Sequence, residues 1–75
     1  MAKSIHKDGY KQGIERLIKL RNDAGLIQKV VAKKLNKPQS YISKIELCER
    51  RIDFYELYEI AILIKKDIDM NYFFD

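Results

Sequence analysis

Apolar residues recur at every third or fourth position along most of the chain, which is the spacing of one face of an α-helix. In the segment NKPQSYISKIE, Ile42 and Ile45 are apolar while most of their neighbours are polar. The pattern predicts helices over residues 10–22, 28–35, 39–47 and 54–64, and a short fifth helix after Asp69. No segment reads convincingly as a strand, so we expect an all-α domain.

Residues that end or begin helices lie between the predicted elements. Gly25 and Asn36 tolerate positive φ, so each suits the turn after a helix. Pro38 suits the first turn of a new helix. Asp53, followed three residues later by Glu56, predicts an N-cap with a partner resembling a capping box. The helices are short, so packing against one another must stabilise them.

The chain has 75 residues, of which 47% are hydrophobic, and this size supports one small domain. We expect residues 1–9 to form a flexible tail, residues 10–75 to form the domain, and residues 54–75 to contribute to a dimer. No segment approaches the roughly 20 apolar residues that a membrane span needs. The first residues also lack the apolar centre of a secretion signal. The expectation is a soluble, cytoplasmic protein.

Cysteine and histidine each occur once, as Cys48 and His6, far apart in the sequence. An internal disulfide is therefore excluded, and a set of zinc ligands is missing. A deep pocket is not expected at this size, and no acid, base and nucleophile cluster in the sequence. We therefore expect no enzymatic activity, no metal, no cofactor and no small-molecule ligand.

Charge is distributed unevenly along the chain. Residues 1–52 contain thirteen basic and five acidic residues, a net charge of +8, whereas residues 53–75 contain two basic and six acidic residues, a net charge of −4. The basic part can meet a polyanion such as nucleic acid, and the acidic part would be repelled by it. A lysine-rich face is more often simply solvated, so charge alone does not decide the function.

Two short helices joined by a tight turn, the second with a polar start, have the geometry of a helix-turn-helix. When Gln28 is the first position, Ala32 is the fifth, where the helices come closest and a large side chain would clash. Asn36 is the ninth, where the turn needs positive φ. Ile42 and Ile45 are the fifteenth and eighteenth, where the second helix packs inward. That helix can lie in the major groove and offer its first residues to base edges.

These residues resemble the Cro/repressor-like (XRE-type) helix-turn-helix family over about residues 14–74. The segments LIKLR, AGLIQKVVAKKLNKPQSYISKIE and ERRIDFYELYEIA carry the resemblance. It implies a compact five-helix, lambda repressor-like DNA-binding domain of a bacterial or phage regulator. The chain departs from the family at Ile27, where a capping Ser or Thr is usual, and at Cys48, where glycine is usual. The second helix is therefore expected to lack a side-chain cap, and at Cys48 either a non-glycine residue adopts positive φ or the loop takes another path.

The family resemblance also implies which side chains contact DNA. Base contacts are expected from Gln39, Ser40, Lys44 and, more weakly, Ser43. Glutamine can pair with adenine, lysine with guanine and serine with several bases, so these residue types suit the role. Phosphate contacts, which position a protein without reading sequence, are expected from Gln28, Lys37, Tyr41, Arg21, Arg50 and Arg51.

Several of these basic residues have a structural alternative. Arg21 can pair with an acid such as Glu46 inside the motif. Arg50 and Arg51 can brace their loop against the acids at the start of the fourth helix. Lys44 can be an ordinary solvated lysine. The sequence leaves both interpretations open for each side chain.

The C-terminal part contains more aromatic residues than a small core can bury, and an exposed apolar patch usually marks an interface. The candidates for a dimer interface are Tyr55, Tyr58, Ile62, Tyr72 and Phe74. We expect a homodimer that represses transcription, because a two-fold pair matches a palindromic operator with half-sites ~34 Å apart. The alternative is an antitoxin-type module whose main partner is another protein, such as a toxin. Polymerase is a further candidate partner.

Overall fold

The computed structural model describes the backbone of residues 2–74 and the side chains of residues 9–74. Four α-helices follow one another: α1 (Ala2–Asp23), α2 (Gln28–Lys34), α3 (Gln39–Glu46) and α4 (Phe54–Ile64). A 3₁₀ turn, Met70–Phe73, comes last. Residues 2–74 contain no strand, which confirms the all-α class predicted from the apolar spacing.

The prediction of a fifth helix is wrong for the described residues. Residues 70–73 form a single 3₁₀ turn, and Asp69 caps it by accepting a hydrogen bond from the Asn71 backbone at 3.0 Å. Runs of 3₁₀ structure seldom exceed three or four residues because their hydrogen bonds are poorly aligned. The fold between residues 2 and 74 therefore has four α-helices where the pattern and the family resemblance predicted five.

The helix boundaries otherwise follow the apolar pattern closely. α4 has the predicted bounds, and α2 and α3 each end a residue early, at Lys34 and Glu46. α1 begins at Ala2, well before residue 10, where the predicted helix starts. The flexibility expected of residues 1–9 stays a prediction.

Three residues with positive φ reverse the chain after a helix. Their φ values are 73° at Gly25, 59° at Asn36 and 61° at Cys48. Positive φ was predicted for Gly25 from its place after the first helix and for Asn36 from its place in the turn, and it was one of two alternatives for Cys48. The backbone of Cys48 has a conformation that favours glycine, and this destabilises the folded state by about 1 kcal/mol because Cys48 carries a side chain.

The starts of α2 and α4 differ in how they are capped. Ile27 precedes α2 and provides no side-chain hydrogen bond, as its apolar character predicts. Asp53 precedes α4 and accepts a hydrogen bond from the Glu56 backbone at 2.8 Å. The Glu56 side chain accepts one from the Asp53 backbone at 3.1 Å in return, which completes the predicted capping box.

One apolar core holds the helices together. Its buried members are Ile14, Leu17, Leu20, Val31, Ala32, Ile42, Ile45, Leu57, Ile60, Ala61 and Phe73. Burying each large aliphatic or aromatic side chain contributes about 1.5–3 kcal/mol, so packing outweighs the weak tendency of such short helices to form alone. Phe73 is 2% exposed and brings the 3₁₀ turn onto this core. No described helix combines the length and the apolar character that crossing a membrane would require.

Candidate nucleic-acid interface

α2 and α3 form the helix-turn-helix that the sequence spacing predicted. Ala32 is 1% exposed, so a small side chain occupies the position of closest approach. The turn is closed by a hydrogen bond from the Lys37 backbone to the Ala32 carbonyl at 2.9 Å. Ile42 and Ile45 are buried in the common core and fix the orientation of α3. The inward face of α3 is therefore set by these two isoleucines.

The outward face of α3 carries the side chains predicted to contact bases. Gln39, Ser40 and Lys44 are exposed, and Ser43 is half-buried. Lys44 forms no ion pair with any side chain of residues 9–74. Glutamine, serine and lysine together supply both donors and acceptors, which is what base edges in a major groove require. Contacts from these residues to bases stay a prediction.

A cluster around the Glu46 carboxylate, here called the Glu46 cluster, joins α1, α2 and α3. Arg21 donates to this carboxylate from Nε at 2.7 Å and from Nη2 at 2.9 Å, and Gln28 donates from Nε2 at 2.8 Å. Arg21 also donates from Nη1 to the Leu26 carbonyl at 2.8 Å. The Arg21 and Glu46 side chains are only 11% and 7% exposed. The structural alternative for Arg21 is thus observed, and its contact with a phosphate stays a prediction.

The Glu46 cluster reaches the first residue of α3 through Gln28. Gln39 Nε2 lies 3.4 Å from Gln28 Oε1, a long hydrogen bond on the protein surface. Gln28 therefore contacts an internal acid with its amide nitrogen and an exposed glutamine with its amide oxygen. Gln28 and Gln39 begin α2 and α3, so the contact orients both helix starts on the same side of the motif.

A second cluster, here called the Glu56 cluster, lies where α4 begins. Tyr41 Oη donates to Glu56 Oε2 at 3.1 Å, and Arg50 Nη2 donates to the same oxygen at 3.2 Å. The Arg50 guanidinium carbon is 4.9 Å from the centre of the Tyr41 ring, and Lys37 Nζ is 5.2 Å from it. Both distances allow cation–π attraction. The brace predicted for Arg50 against an acid of the fourth helix is present.

The pKa of the Tyr41 phenol is higher in the Glu56 cluster than it would be in solvent. Partial burial raises the pKa of its phenol, and the hydrogen bond to the Glu56 carboxylate and the negative charge of that group raise it further. The nearby Arg50 charge acts in the opposite direction. The phenol therefore stays protonated and keeps donating to Glu56 up to high pH.

Arg51 does not brace its loop in the predicted way. Its guanidinium carbon lies 4.4 Å from the centre of the Tyr10 ring on α1, and among residues 9–74 it forms no ion pair with Asp53 or Glu56. Arg50 Nη1 instead donates to the Arg51 carbonyl at 3.0 Å. The loop is thus held by an aromatic contact on one side and the Glu56 cluster on the other.

Sequence reasoning missed two lysines beside the turn. An open cleft of about 620 Å³, here called the lysine cleft, is lined by Lys29, Lys33, Asn36, Lys37, Pro38 and Gln39. Only Lys37 of the three lysines had been singled out. Part of the signal was present in the sequence, because positions 29 and 33 are spaced by four and share a face of α2, and Lys37 follows just beyond the turn.

The predicted dimer residues divide into two groups. Tyr55, Tyr58 and Phe74 are 65%, 41% and 65% exposed, so they remain available to a partner. Ile62 and Tyr72 are half-buried, and Tyr72 packs edge-on against Phe73 with the ring centres 5.2 Å apart. Their place in an interface stays a prediction.

A further exposed aromatic residue, not predicted from the sequence, lies at the start of α4. Phe54 is 61% exposed and stacks on Phe74 with the ring centres 6.1 Å apart. We call the exposed set Phe54, Tyr55, Tyr58 and Phe74 the aromatic surface. Phe54 is the first residue of α4, directly after the Asp53 cap. This position indicates exposure, because the first residue of a helix is often too far from the core to be buried.

Comparison with known proteins identifies the family of this site. The helix-turn-helix family model HTH_3 matches residues 17–70, which is more than two thirds of the chain and includes α2, the turn and α3. No curated protein and no solved structure matches. HTH_3 is a family of DNA-binding domains that are generally not enzymes. The residues described contain no group of side chains that could hold a metal ion. The chain therefore belongs to the XRE-type helix-turn-helix family HTH_3.

Proposed function

We propose that the protein binds double-stranded DNA sequence-specifically and represses transcription as a homodimer on a palindromic operator. One observation carries the proposal: Ile42 and Ile45 bury one face of α3 while Gln39, Ser40 and Lys44 are exposed on the other. A helix anchored in this way can enter a major groove about 12 Å wide with its polar face toward the bases. We place this activity in the cytoplasm, together with the DNA.

Each exposed side chain of α3 has a chemically distinct role in the proposal. Gln39 pairs with adenine through both atoms of its amide, and Lys44 donates to guanine. Ser40 and Ser43 donate to or accept from neighbouring bases. Ser43 contributes least because it is half-buried.

The phosphate contacts differ from the base contacts in how free their side chains are. Lys37 is exposed beside the turn, and Arg51 is exposed in the loop after α3. Gln28, Tyr41, Arg21 and Arg50 are engaged with Glu46 or Glu56. In the proposal Gln28, Arg21 and Arg50 contact phosphates with the N–H groups that their internal partners leave free, and a side chain fixed in advance loses less entropy on binding. Tyr41 has one hydroxyl donor, which already donates to Glu56, so its phosphate contact requires that hydroxyl to exchange its acceptor.

Repression is proposed to arise from occupation of the operator. The two copies of α3 in a homodimer would enter successive major grooves about 34 Å apart, which makes the operator palindromic. The aromatic surface, with Ile62 and Tyr72 at its edge, is the proposed contact between the copies. Its exposed rings supply the apolar area that an isolated domain leaves in water.

Selection of bound sequences from a random duplex pool tests the proposal. The selection is run at two salt concentrations, because phosphate contacts lose affinity as salt rises whereas sequence preference persists. We expect enrichment of two similar half-sites in inverted orientation, about one helical turn apart. Enrichment of no sequence at either salt concentration would contradict the proposed function.

A second candidate function is an antitoxin-type module whose main partner is a protein. The aromatic surface favours it, because Phe54, Tyr55 and Phe74 are each more than 60% exposed in the acidic part of the chain. A toxin with a basic face, or polymerase, would be a matching partner. A stable complex with the product of a neighbouring gene on size exclusion would support this function, and a lone homodimer would count against it.

A further inference from the structure

We propose that the lysine cleft binds a phosphate of the DNA backbone, with Lys29 and Lys33 as its ligands beside Lys37. The inference rests on the proposed function and adds a contact to it. Neither Lys29 nor Lys33 belongs to the residues that the family resemblance assigns to DNA. The cleft shares Gln39 with the face of α3 that would read bases, so a phosphate in the cleft would flank the base that Gln39 contacts.

The cleft concentrates positive charge on one side of the motif. Lys29, Lys33 and Lys37 line it, and its other lining residues, Asn36, Pro38 and Gln39, are uncharged. The three lysines follow one another at intervals of four residues, so the row begins on α2 and continues into the turn. All three are exposed. A mobile ammonium group on each can therefore approach an anion in the cleft.

No described acidic side chain neutralises the lysines of the cleft. None of the three lysines forms an ion pair with a described residue, and the Lys37 ammonium lies 5.2 Å from the centre of the Tyr41 ring. Arg21 and Arg50 differ in this respect, since their guanidinium groups are bound to Glu46 and Glu56. The lysines of the cleft therefore carry positive charge that no described carboxylate neutralises, unlike Arg21 and Arg50.

The size and shape of the cleft suit a polymer better than a small ligand. Its volume is about 620 Å³ and it is open to solvent, so it provides no enclosed pocket for a free anion. A phosphodiester strand can pass through such an opening and present one phosphate to several ammonium groups. Each phosphate that a lysine neutralises releases condensed cations, which makes binding weaker as salt rises.

The test compares neighbouring lysines of α2. Lys33→Ala removes a lysine of the cleft, and Lys34→Ala removes the same charge from an exposed residue that does not line it. Lys29→Ala is the second cleft variant. All three replace an exposed lysine by the best helix former, so the fold should be retained, and circular dichroism checks this. Binding to the duplex enriched by selection and to a scrambled duplex is titrated over a series of salt concentrations.

The inference predicts a different salt dependence for the two kinds of variant. Because the lysines share one phosphate, Lys29→Ala and Lys33→Ala should each flatten the slope of log affinity against log salt by up to about one unit and weaken both duplexes equally. Lys34→Ala should keep the slope of the wild type. Equal slopes for Lys33→Ala and Lys34→Ala, with wild-type binding intact, would overturn the cleft as a phosphate site and leave the proposed function standing. A wild-type protein that binds neither duplex would overturn both.

Discussion

The Glu46 cluster and the Glu56 cluster lie at two borders of α3 and use the same chemistry at different depths. Glu46 belongs to α3 itself and receives Arg21 and Gln28, with only 7% of its side chain exposed. Glu56 belongs to α4 and receives Tyr41 and Arg50, with 25% of its side chain exposed. Each carboxylate binds side chains for which a phosphate contact was expected, and for Arg21 and Arg50 this pairing with an acid was the structural alternative. The motif therefore uses part of its polar surface to hold its own helices.

The difference in depth determines how much each cluster stabilises the fold. An ion pair out of water must be fully hydrogen-bonded, and removing one partner leaves an uncompensated charge that is expensive to keep buried. A pair nearer the surface is screened by solvent and contributes little. The Glu46 cluster should therefore contribute strongly to the packing of α3 on α1. The Glu56 cluster should contribute less, at the start of α4.

The largest effect is expected from Glu46→Ala. Arg21 and Gln28 would lose their acceptor, and the nearly buried guanidinium would lack its counter-charge. We expect a loss of about 3 kcal/mol in the free energy of unfolding, at the low end for a buried pair because the cluster is near the surface. Urea unfolding followed by circular dichroism measures it. A loss no larger than that of Glu56→Ala would remove the distinction between the two clusters.

Glu56→Ala should have an intermediate effect. It removes half of the capping box and the acceptor for Tyr41 and Arg50, which together suggest a loss of about 1–2 kcal/mol. Glu56→Gln is the matched variant, because its amide oxygen can still accept from the Asp53 backbone. The same urea titration should show that Glu56→Gln loses less than Glu56→Ala. Equal losses would mean that the Glu56 half of the capping box, its bond from the Asp53 backbone, contributes nothing.

Tyr41→Phe isolates one hydrogen bond of the Glu56 cluster. The ring stays in place for Lys37 and Arg50, so only the bond to Glu56 is lost, a change of about 0.5–1.5 kcal/mol near neutral pH. Because the pKa of Tyr41 is higher in the folded state, its contribution is complete below the ordinary tyrosine pKa of about 10 and is lost as pH rises through the folded value. Stability of the wild type and of Tyr41→Phe should converge in that alkaline range. A constant difference would contradict the assigned titration.

The smallest effect is expected from Lys19→Ala. Lys19 and Asp23 form an ion pair at 3.1 Å within α1, but both side chains are more than 60% exposed. Such a pair typically contributes a few tenths of a kcal/mol, and alanine compensates part of it by its helix propensity. The midpoint of urea unfolding should hardly change. A loss of unfolding free energy as large as that of Glu56→Ala would show that side-chain exposure does not explain the order of these variants.

The sequence predicted the parts of the motif that depend on local geometry. The roles of Ala32, Asn36 and Ile42 could be predicted from their spacing in the chain. A close approach of two helices needs a small residue, a turn with positive φ needs a residue that tolerates it, and an inward helix face needs an apolar residue. The Asp53 capping box is equally local, since both partners lie within one turn. These features could be inferred without knowing how the helices pack.

What the sequence left open depends on tertiary packing. Arg21 and Glu46 are twenty-five residues apart, and the sequence offered this pair only as the structural alternative to a phosphate contact of Arg21. The contact of Arg51 with Tyr10 joins a loop to α1 and has no local signature. The fifth helix was predicted from a short apolar repeat, which one 3₁₀ turn satisfies equally well because it buries Phe73 and packs Met70 against the core.

The central claim is that the exposed face of α3 reads bases, and the discrimination between cognate and scrambled duplex tests it most directly. Affinities for both duplexes are compared among the wild type, Gln39→Ala and Lys44→Ala at one salt concentration. We predict that each variant loses about 1–3 kcal/mol of discrimination, roughly 5- to 150-fold, chiefly through weaker binding to the cognate duplex. Discrimination equal to that of the wild type in both variants would contradict the claim.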